Sequence, residues 1–255
     1  MLEARENLVM ILRQFLHKDP VAISYFAGCG THAAAAVVDP VGDIAPYLRA
    51  AEEAGTKLRY VVDTHLHADH ISSGRALAEA AGAEYVLFAG APVGYRFYPV
   101  RDEDVLELGN VQMKVLHTPG HTPEHISLVV TDLRRGNEPW FVLTGHTLMV
   151  GDLGRTELAT SAEEGARALF RSVQKLKTLP EHIELLPGAY AGSVCGRSLS
   201  GKPMSTIGFE KRHNKAFAIA AEEEFVRFML AEVPPAPPRA AEVRAVNSGV
   251  SEAAE

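Results

Sequence analysis

The sequence predicts an α+β fold in which two mixed β-sheets form a sandwich flanked by helices. Runs with strand character alternate with amphipathic segments along most of the 255 residues. Two strand-like runs at 105–108 and 111–116 are separated by only two residues, as in a β-hairpin. The hydrophobic share of 47% is ordinary for a globular protein with a sizeable core.

The strand predictions rest on runs of β-branched, aromatic or alternating apolar residues bounded by turn residues. Pro40 ends one such run, because proline has no backbone N–H to donate to a sheet. Gly109 and Asn110 supply the turn between the two hairpin strands. The predicted strands are residues 8–12, 21–25, 33–39, 58–63, 84–88, 105–108, 111–116, 126–131, 140–143 and 183–186.

The helix predictions rest on apolar residues spaced three and four apart and on stop signals after them. In the third helix Ala166, Leu169 and Val173 lie on one face, and Pro180 follows its end. The predicted helices are residues 43–54, 75–81, 162–177 and 210–230, the last in two pieces. We expect one domain at 1–232 and a Pro/Ala-rich tail at 233–255 that is extended or disordered.

Composition limits the partners and the compartment. A net charge of −7 and a pI near 5.9 argue against a broad nucleic-acid-binding surface. The apolar run at 8–12 is far too short to span a bilayer, and no cleavage site follows it. Cys29 and Cys195 are far apart and form no CxxC motif, so we expect a cytoplasmic protein with reduced thiols.

The histidine-rich segment Thr64-His65-Leu66-His67-Ala68-Asp69-His70 follows a predicted strand. If the backbone stays extended, His65, His67 and Asp69 point to one side, because strand side chains alternate. His70 joins them where the chain turns. Four potential ligands within six residues predict a metal site at this strand end.

THLHADH resembles the HxHxDH signature of the metallo-β-lactamase superfamily. Three later segments resemble its other metal motifs in order and spacing: LHTPGHTPEH at 116–125, LTGHTL at 143–148 and LPGAYAGS at 186–193. The resemblance implies a four-layer αββα sandwich with metal-binding loops at one edge. GRTEL at 154–158 and STIGFE at 205–210 are similar to the persulfide dioxygenase branch. The closest likeness is to bacterial members fused to a rhodanese domain, for which this chain has no room.

Two positions differ from the superfamily pattern. The third motif carries His146 where Asp is usual, and the fourth carries Ala189 where His is usual. A neutral imidazole has one free lone pair and does not bridge two cations as a carboxylate does. Alanine offers no ligand. We therefore expect at most one tightly bound metal ion.

The resemblance implies which residues bind that metal. In the two-metal pattern His65, His67 and His121 hold one ion, and Asp69 and His70 contribute to the other. In persulfide dioxygenases a single Fe(II) has ligands that correspond here to His65, His121 and His146. Two histidines and a carboxylate are typical of non-haem iron, whereas three histidines are also a catalytic zinc set. One divalent ion is expected, with Fe(II) favoured and Zn(II) as the alternative.

Three functions follow as hypotheses. The first is an Fe(II) dioxygenase that oxidises a small glutathione-type persulfide to sulfite and thiol. The second is a zinc thioester hydrolase similar to glyoxalase II, with Asp69 as the base. The third is a degenerate member that keeps the fold as a binding protein. No nucleic-acid or membrane partner is expected, and a homodimer is left open.

Two further residues have two interpretations each. Arg155 either anchors a substrate carboxylate, which would make it part of the catalytic site with Asp69, or forms a structural ion pair. Cys195 lies after the fourth motif and is either a persulfide acceptor or a small packing residue.

Overall fold

The computed structural model describes residues 10–231, 233 and 235–250. Most helices and strands lie close to the segments predicted from the pattern of apolar residues. In chain order the elements are β1 (Met10–Lys18), β2 (Val21–Cys29), β3 (Ala34–Val38), α1 (Ala45–Glu53), β4 (Lys57–Val62), α2 (Gly74–Ala81), β5 (Glu84–Phe88), β6 (Tyr98–Val100), β7 (Val105–Leu108), β8 (Val111–His117), β9 (Ile126–Asp132), β10 (Phe141–Gly145), β11 (Leu148–Met149), β12 (Asp152–Leu153), α3 (Ala162–Lys177), β13 (Glu184–Pro187), β14 (Ser205–Thr206), α4 (Ile207–His213), α5 (Lys215–Ala218), α6 (Glu222–Ala231) and α7 (Ala240–Ser248).

The strands form two mixed sheets of six strands each, together with the small β11–β12 pair. In the first sheet β1 to β6 lie side by side in chain order, antiparallel from β1 to β3 and parallel from β3 to β6. The second sheet has the order β14-β13-β10-β9-β8-β7, in which only the β10–β13 pair is parallel. The prediction of two mixed sheets is confirmed.

Three apolar clusters define four layers. The first lies between the two sheets, where inward residues such as Ile23 and Met113 are fully buried. The second packs α1 and α2 against the first sheet, and the third packs α3 and α6 against the second sheet. Removing this apolar surface from water stabilises the sandwich by about 25 cal/mol per Å². The helices therefore cover both outer faces, as the αββα prediction requires.

Helix α3 shows how local sequence fixes an element of this sandwich. Ser161 caps its N-terminus, since its hydroxyl accepts a hydrogen bond from the Glu164 backbone N–H at 3.3 Å. The same hydroxyl donates to the Glu164 carboxylate at 2.7 Å, which resembles a capping box. Lys175 and Lys177 lie in the last turn, where positive charge is favourable to the helix dipole.

Two predictions about the C-terminal third are wrong. The helical region predicted at 210–230 forms three helices, because Asn214 ends α4 and its side chain caps α5 by accepting from the Phe217 backbone N–H. Residues 240–248 of the predicted disordered tail form helix α7, which ends at Gly249 in a left-handed conformation. Hydrogen bonds from Arg244 and Asn247 of this helix reach the backbone of residues 66–70. Residues 1–9, 232, 234 and 251–255 lie outside the described chain.

The fold brings the histidine-bearing loops to one edge of the sandwich. The strands β4, β8, β10 and β13 all end at this edge, and the loops that follow them lie there. They carry the segments 64–73, 118–125, 146–147 and 188–200. Within the described chain, no helix is both long and apolar enough to cross a bilayer.

Candidate metal centre

Three histidines from three different loops converge at this edge. His65 follows β4, His121 lies in the loop after β8, and His146 follows β10. Each offers a ring nitrogen, and the three nitrogens lie within 4.8 Å of one another. All three residues are buried, with no more than 1% of their surface exposed. The arrangement offers three nitrogen donors around one point.

The hydrogen bonds of His65 and His121 determine which nitrogen is available. His121 Nδ1 lies 2.7 Å from the backbone carbonyl of Arg155, so it carries the proton and leaves Nε2 with its lone pair. His65 Nδ1 lies 2.9 Å from the hydroxyl of Thr64. Its Nε2 has no hydrogen-bond partner among the described residues. A buried ring nitrogen without a partner is unfavourable unless an ion completes it.

His146 is positioned through a second buried histidine. Its backbone N–H donates to His125 Nε2 at 3.1 Å, and the opposite nitrogen of His125 lies 3.0 Å from the Thr147 hydroxyl. Gly145 makes this contact feasible, because a Cβ there would lie 2.6 Å from His125 Nε2 and the backbone has φ +49°. His146 Nδ1 then lies 3.3 Å from His121 Nε2. His125 thus orients a ligand rather than acting as one.

Burial keeps these imidazoles neutral. Desolvation, reinforced by the neighbouring His67 and His146 rings, lowers the pKa of His65 well below its usual range. Burial lowers the pKa of His121 to about 3, with His146 adding to the effect. The pKa of His146 is also lowered by burial, against the opposing charge of Asp69. Neutral imidazoles have the free lone pair that a metal ion requires.

A second group of ligand atoms lies beside the first and comprises His67, Asp69 and His70. Asp69 Oδ1 lies 3.1 Å from His70 Nδ1 and 3.7 Å from His67 Nδ1. Burial would raise the pKa of Asp69, but the charges of His70 and His67 hold it well below its usual range. His70 and Ile71 also line a surface cavity of about 550 Å³. Of this second group, His70 is therefore the member that lines the cavity.

His67 lies beside the three-histidine group but is paired with carboxylates. Its Nε2 lies 3.3 Å from Oδ1 of Asp39, a buried residue that also accepts hydrogen bonds from the backbone and hydroxyl of Thr64. Burial would lower the pKa of His67, but the carboxylates of Asp39 and Asp69 hold it well above its usual value. The extended backbone assumed for this segment is not found, because β4 ends at Val62, yet the rings of His65 and His67 lie 4.2 Å apart.

Helix α7 holds the histidine-rich segment from outside, which the sequence did not indicate. The Asn247 side-chain amide donates to the carbonyl oxygens of His67 at 2.9 Å and His70 at 2.8 Å. Its oxygen accepts from the Ser72 backbone N–H at 2.9 Å. One side chain of the predicted tail therefore satisfies three backbone groups of the metal-binding segment.

Arg244, one turn earlier in α7, holds the start of the same segment. Its guanidinium donates to the Leu66 carbonyl at 2.9 Å and contacts the Glu124 carboxylate at 3.3 Å. Glu124 in turn accepts from the Leu66 backbone N–H at 3.0 Å. Glu124 lies in the second motif, three residues after His121. The sequence does not indicate these contacts, because the partners are 58 to 178 residues apart.

The guanidinium of Arg155 matches the ion-pair interpretation. It is buried and donates to the Glu157 carboxylate at 2.5 Å and to the backbone carbonyls of Val194 and Pro235, each at 3.1 Å. Its own carbonyl, rather than its side chain, reaches the metal centre through His121. These contacts give no support to Arg155 as an anchor for a substrate carboxylate.

The fourth-motif position supplies no ligand, but a thiol lies nearby. Ala189 is buried with 1% of its surface exposed. Cys195, six residues later, is equally buried, and its sulfur lies within 4.8 Å of ligand atoms of Asp69 and His146. Burial and the charge of Asp69 raise the pKa of the Cys195 thiol well above its usual range.

The chain is similar to several known proteins. The chain is 28% identical over 225 residues to human mitochondrial persulfide dioxygenase ETHE1, covering 86% of this chain and 80% of the relative. It is 28% identical to hydroxyacylglutathione hydrolase GloC from Haemophilus influenzae, covering 71% and 85% of the two chains. A metallo-β-lactamase from Staphylococcus aureus superposes with a TM-score of 0.89 at 33% identity, covering 97% of this chain and 75% of that one.

The family assignment rests on more than these pairwise similarities. Residues 24–188 match the sequence profile of the metallo-beta-lactamase superfamily, and this range includes the loops that carry His65, His121 and His146. The relatives are enzymes, and the buried histidine and aspartate groups are suited to a divalent metal ion. The chain belongs to the metallo-β-lactamase superfamily.

Proposed function

We propose that the protein is a mononuclear metal-dependent dioxygenase that oxidises a small persulfide of the glutathione type to sulfite. The observation that carries the proposal is the three-histidine group. Its member His65 has a ring nitrogen without a partner among the described residues, and Ala189 occupies the fourth-motif position. This donor set suits one ion with open positions for substrate and O₂. The similarity to persulfide dioxygenases supports the same reaction.

The residues would divide the work as follows. His65, His121 and His146 would hold Fe(II), whose redox chemistry activates O₂ when it is bound. The Arg155 carbonyl fixes the ring of His121, and His125 fixes the backbone of His146, so the donors need little reorganisation. Asp69 lies next to the three-histidine group, has no hydrogen-bond partner among the described residues and would accept a proton from the incoming persulfide.

The overall reaction balances without a further reductant. One persulfide, one O₂ and one water give one thiol, one sulfite and two protons. The terminal sulfur is oxidised by O₂, and the bond between the two sulfur atoms is broken. The released protons pass to solvent at neutral pH. Nothing in this balance requires a nicotinamide or flavin cofactor.

A zinc thioester hydrolase is the second candidate. Three neutral histidines are also a catalytic zinc set, and both oxygens of the Asp69 carboxylate lack a hydrogen-bond partner among the described residues, as a general base requires. The similarity to hydroxyacylglutathione hydrolases supports this alternative. The missing donor at Ala189 favours the mononuclear dioxygenase, because a two-metal hydrolase site would lose a ligand there.

The experiment loads the purified protein with Fe(II) or with Zn(II) and assays both reactions. With Fe(II) and glutathione persulfide we expect O₂ uptake and equimolar sulfite. Hydrolysis of S-lactoylglutathione by the zinc form, without O₂ uptake by the iron form, would replace the proposal with the hydrolase. If neither activity is detected, the result supports a non-catalytic binding protein.

A further inference from the structure

A second potential metal site lies next to the three-histidine group and includes the thiol of Cys195. The ligand atoms of Asp69, His146 and Cys195 lie within 4.8 Å of one another. Carboxylate oxygen, imidazole nitrogen and thiolate sulfur are all zinc ligands. Cys195 belongs to the loop after β13, in which Ala189 leaves the fourth-motif position without a donor.

The carboxylate of Asp69 is the independent sign that this group binds a cation. Its side chain is only 3% exposed, and neither oxygen has a hydrogen-bond partner among the described residues. The nearest basic nitrogen, His70 Nδ1, lies 3.1 Å away without completing a hydrogen bond. The imidazoles of His67 and His70 lie nearby but complete no hydrogen bond to it, so both oxygens remain available as ligand atoms for a cation.

We infer that Asp69, His146 and Cys195 form an alternative site for a thiophilic divalent ion such as Zn²⁺ or Cd²⁺. The ion binds sulfur as the thiolate, so binding releases the Cys195 proton to solvent and involves no oxidation. Thiolate ligands select softer ions, whereas the three-histidine group offers only nitrogen. The two sites therefore differ in the metal that each prefers.

The shared ligand makes the two sites exclusive. His146 belongs to both groups, and a neutral imidazole has one free lone pair. An ion held by Asp69 and Cys195 therefore removes His146 from the group that contains His65 and His121. A thiophilic ion is then an inhibitor of any reaction at the three-histidine site. The inference depends on the donor atoms and not on the proposed dioxygenase activity.

Cadmium binding tests the inference, because a cadmium–thiolate bond gives a strong charge-transfer band in the ultraviolet. The wild-type protein is titrated with Cd²⁺ alone, and Cys195→Ser and Cys29→Ser are compared with it. Cys29 is the matched control, since it is also a free, buried cysteine but belongs to none of the ligand groups of the described chain. We expect the band in the wild type and in Cys29→Ser and its loss in Cys195→Ser.

Retention of the band in Cys195→Ser, or its absence from the wild type, would overturn the inference. If Cys195→Ser does not fold, X-ray absorption of the wild-type cadmium complex decides the question without a variant. A cadmium ion with one sulfur neighbour supports the site, and a shell of only nitrogen and oxygen excludes it. O₂ uptake by the Fe(II) form is measured separately, so loss of the cadmium site and loss of the proposed function give different results.

Discussion

The side-chain amide of Asn247 donates a 2.8 Å hydrogen bond to the backbone carbonyl of His70, across 177 residues of sequence. The same amide reaches the His67 carbonyl, so α7 fixes the backbone that carries the first metal motif. The position of this part of the metal centre therefore depends on the C-terminal helix α7. Residues that hold metal ligands in place commonly have a large effect on metal affinity, although they do not touch the ion.

We therefore expect Asn247→Ala to weaken metal binding by about tenfold. This is the low end of the usual effect of removing a residue that contacts the metal-binding segment but not the metal ion. The reason is that the carbonyls of His67 and His70 and the N–H of Ser72 lose their partner together. The measurement is competition with a chromophoric chelator. Glu242→Gln on the same helix is the control, because Glu242 is exposed and pairs with Arg239. Equal affinities in the two variants would contradict this role of α7.

The ion pair of Arg155 leads to a prediction that separates its two interpretations. Glu157→Gln leaves the buried guanidinium without its carboxylate, and we expect a loss of about 3 kcal/mol of unfolding free energy, limited by the partial exposure of Glu157. Denaturant unfolding measures this loss. The KM for the persulfide should stay unchanged. A raised KM with unchanged stability would favour Arg155 as the substrate anchor.

Ser161 provides a stability test away from the metal centre. Ser161→Ala removes the cap of α3, and we expect a loss of about 1 kcal/mol in the free energy of unfolding. Thr160→Ala is the neighbouring control, since its hydroxyl contacts only the Ser161 carbonyl at 3.3 Å. Urea unfolding of both variants checks the expectation. Similar losses in the two would show that the cap contributes nothing specific.

Local sequence patterns predicted most of the sandwich but little of what supports its metal centre. Period-two alternation in β8 and helical spacing in α3 are strong signals, because one face of each element is buried. β6 has only three residues, too few for an alternating pattern to indicate a strand. Helix α7 was missed because the Pro-rich stretch before it resembles a disordered tail.

Within the site, the ligand histidines have a recognisable spacing, whereas their partners do not. Asp39 and Asn247 lie outside the metal motifs, and Glu124 lies within the second motif but has no spacing that indicates its partners. Their contacts arise only when loops distant in sequence meet at one edge of the sandwich. Cys195 was noticed for its position, but its proximity to Asp69 and His146 required the folded structure.

The shared use of His146 also predicts the metal stoichiometry. We expect one ion per chain after dialysis, because Ala189 contributes no donor and His146 has one free lone pair. Elemental analysis of protein purified without added metal measures this ratio. Two equivalents that resist dialysis would require a donor set beyond the groups described above.

His146, the third proposed ligand, can be replaced by a different residue that also binds metal ions. His146→Asp restores a carboxylate at this position and should retain the metal, since carboxylate oxygen is also a good ligand for Fe(II). The shorter side chain will displace the ion slightly from its position between His65 and His121. We expect O₂ uptake to be kept or increased. Loss of the metal in this variant would show that the site requires an imidazole.

The metal content of His146→Ala tests the central claim most directly, because it removes one of the three converging nitrogens and supplies no other donor. The measurement is elemental analysis of the dialysed variant beside the wild-type protein, with circular dichroism to show that both are folded. We predict a sharp fall in bound metal. Full metal occupancy in folded His146→Ala would contradict the assignment of His65, His121 and His146 as the metal-binding group.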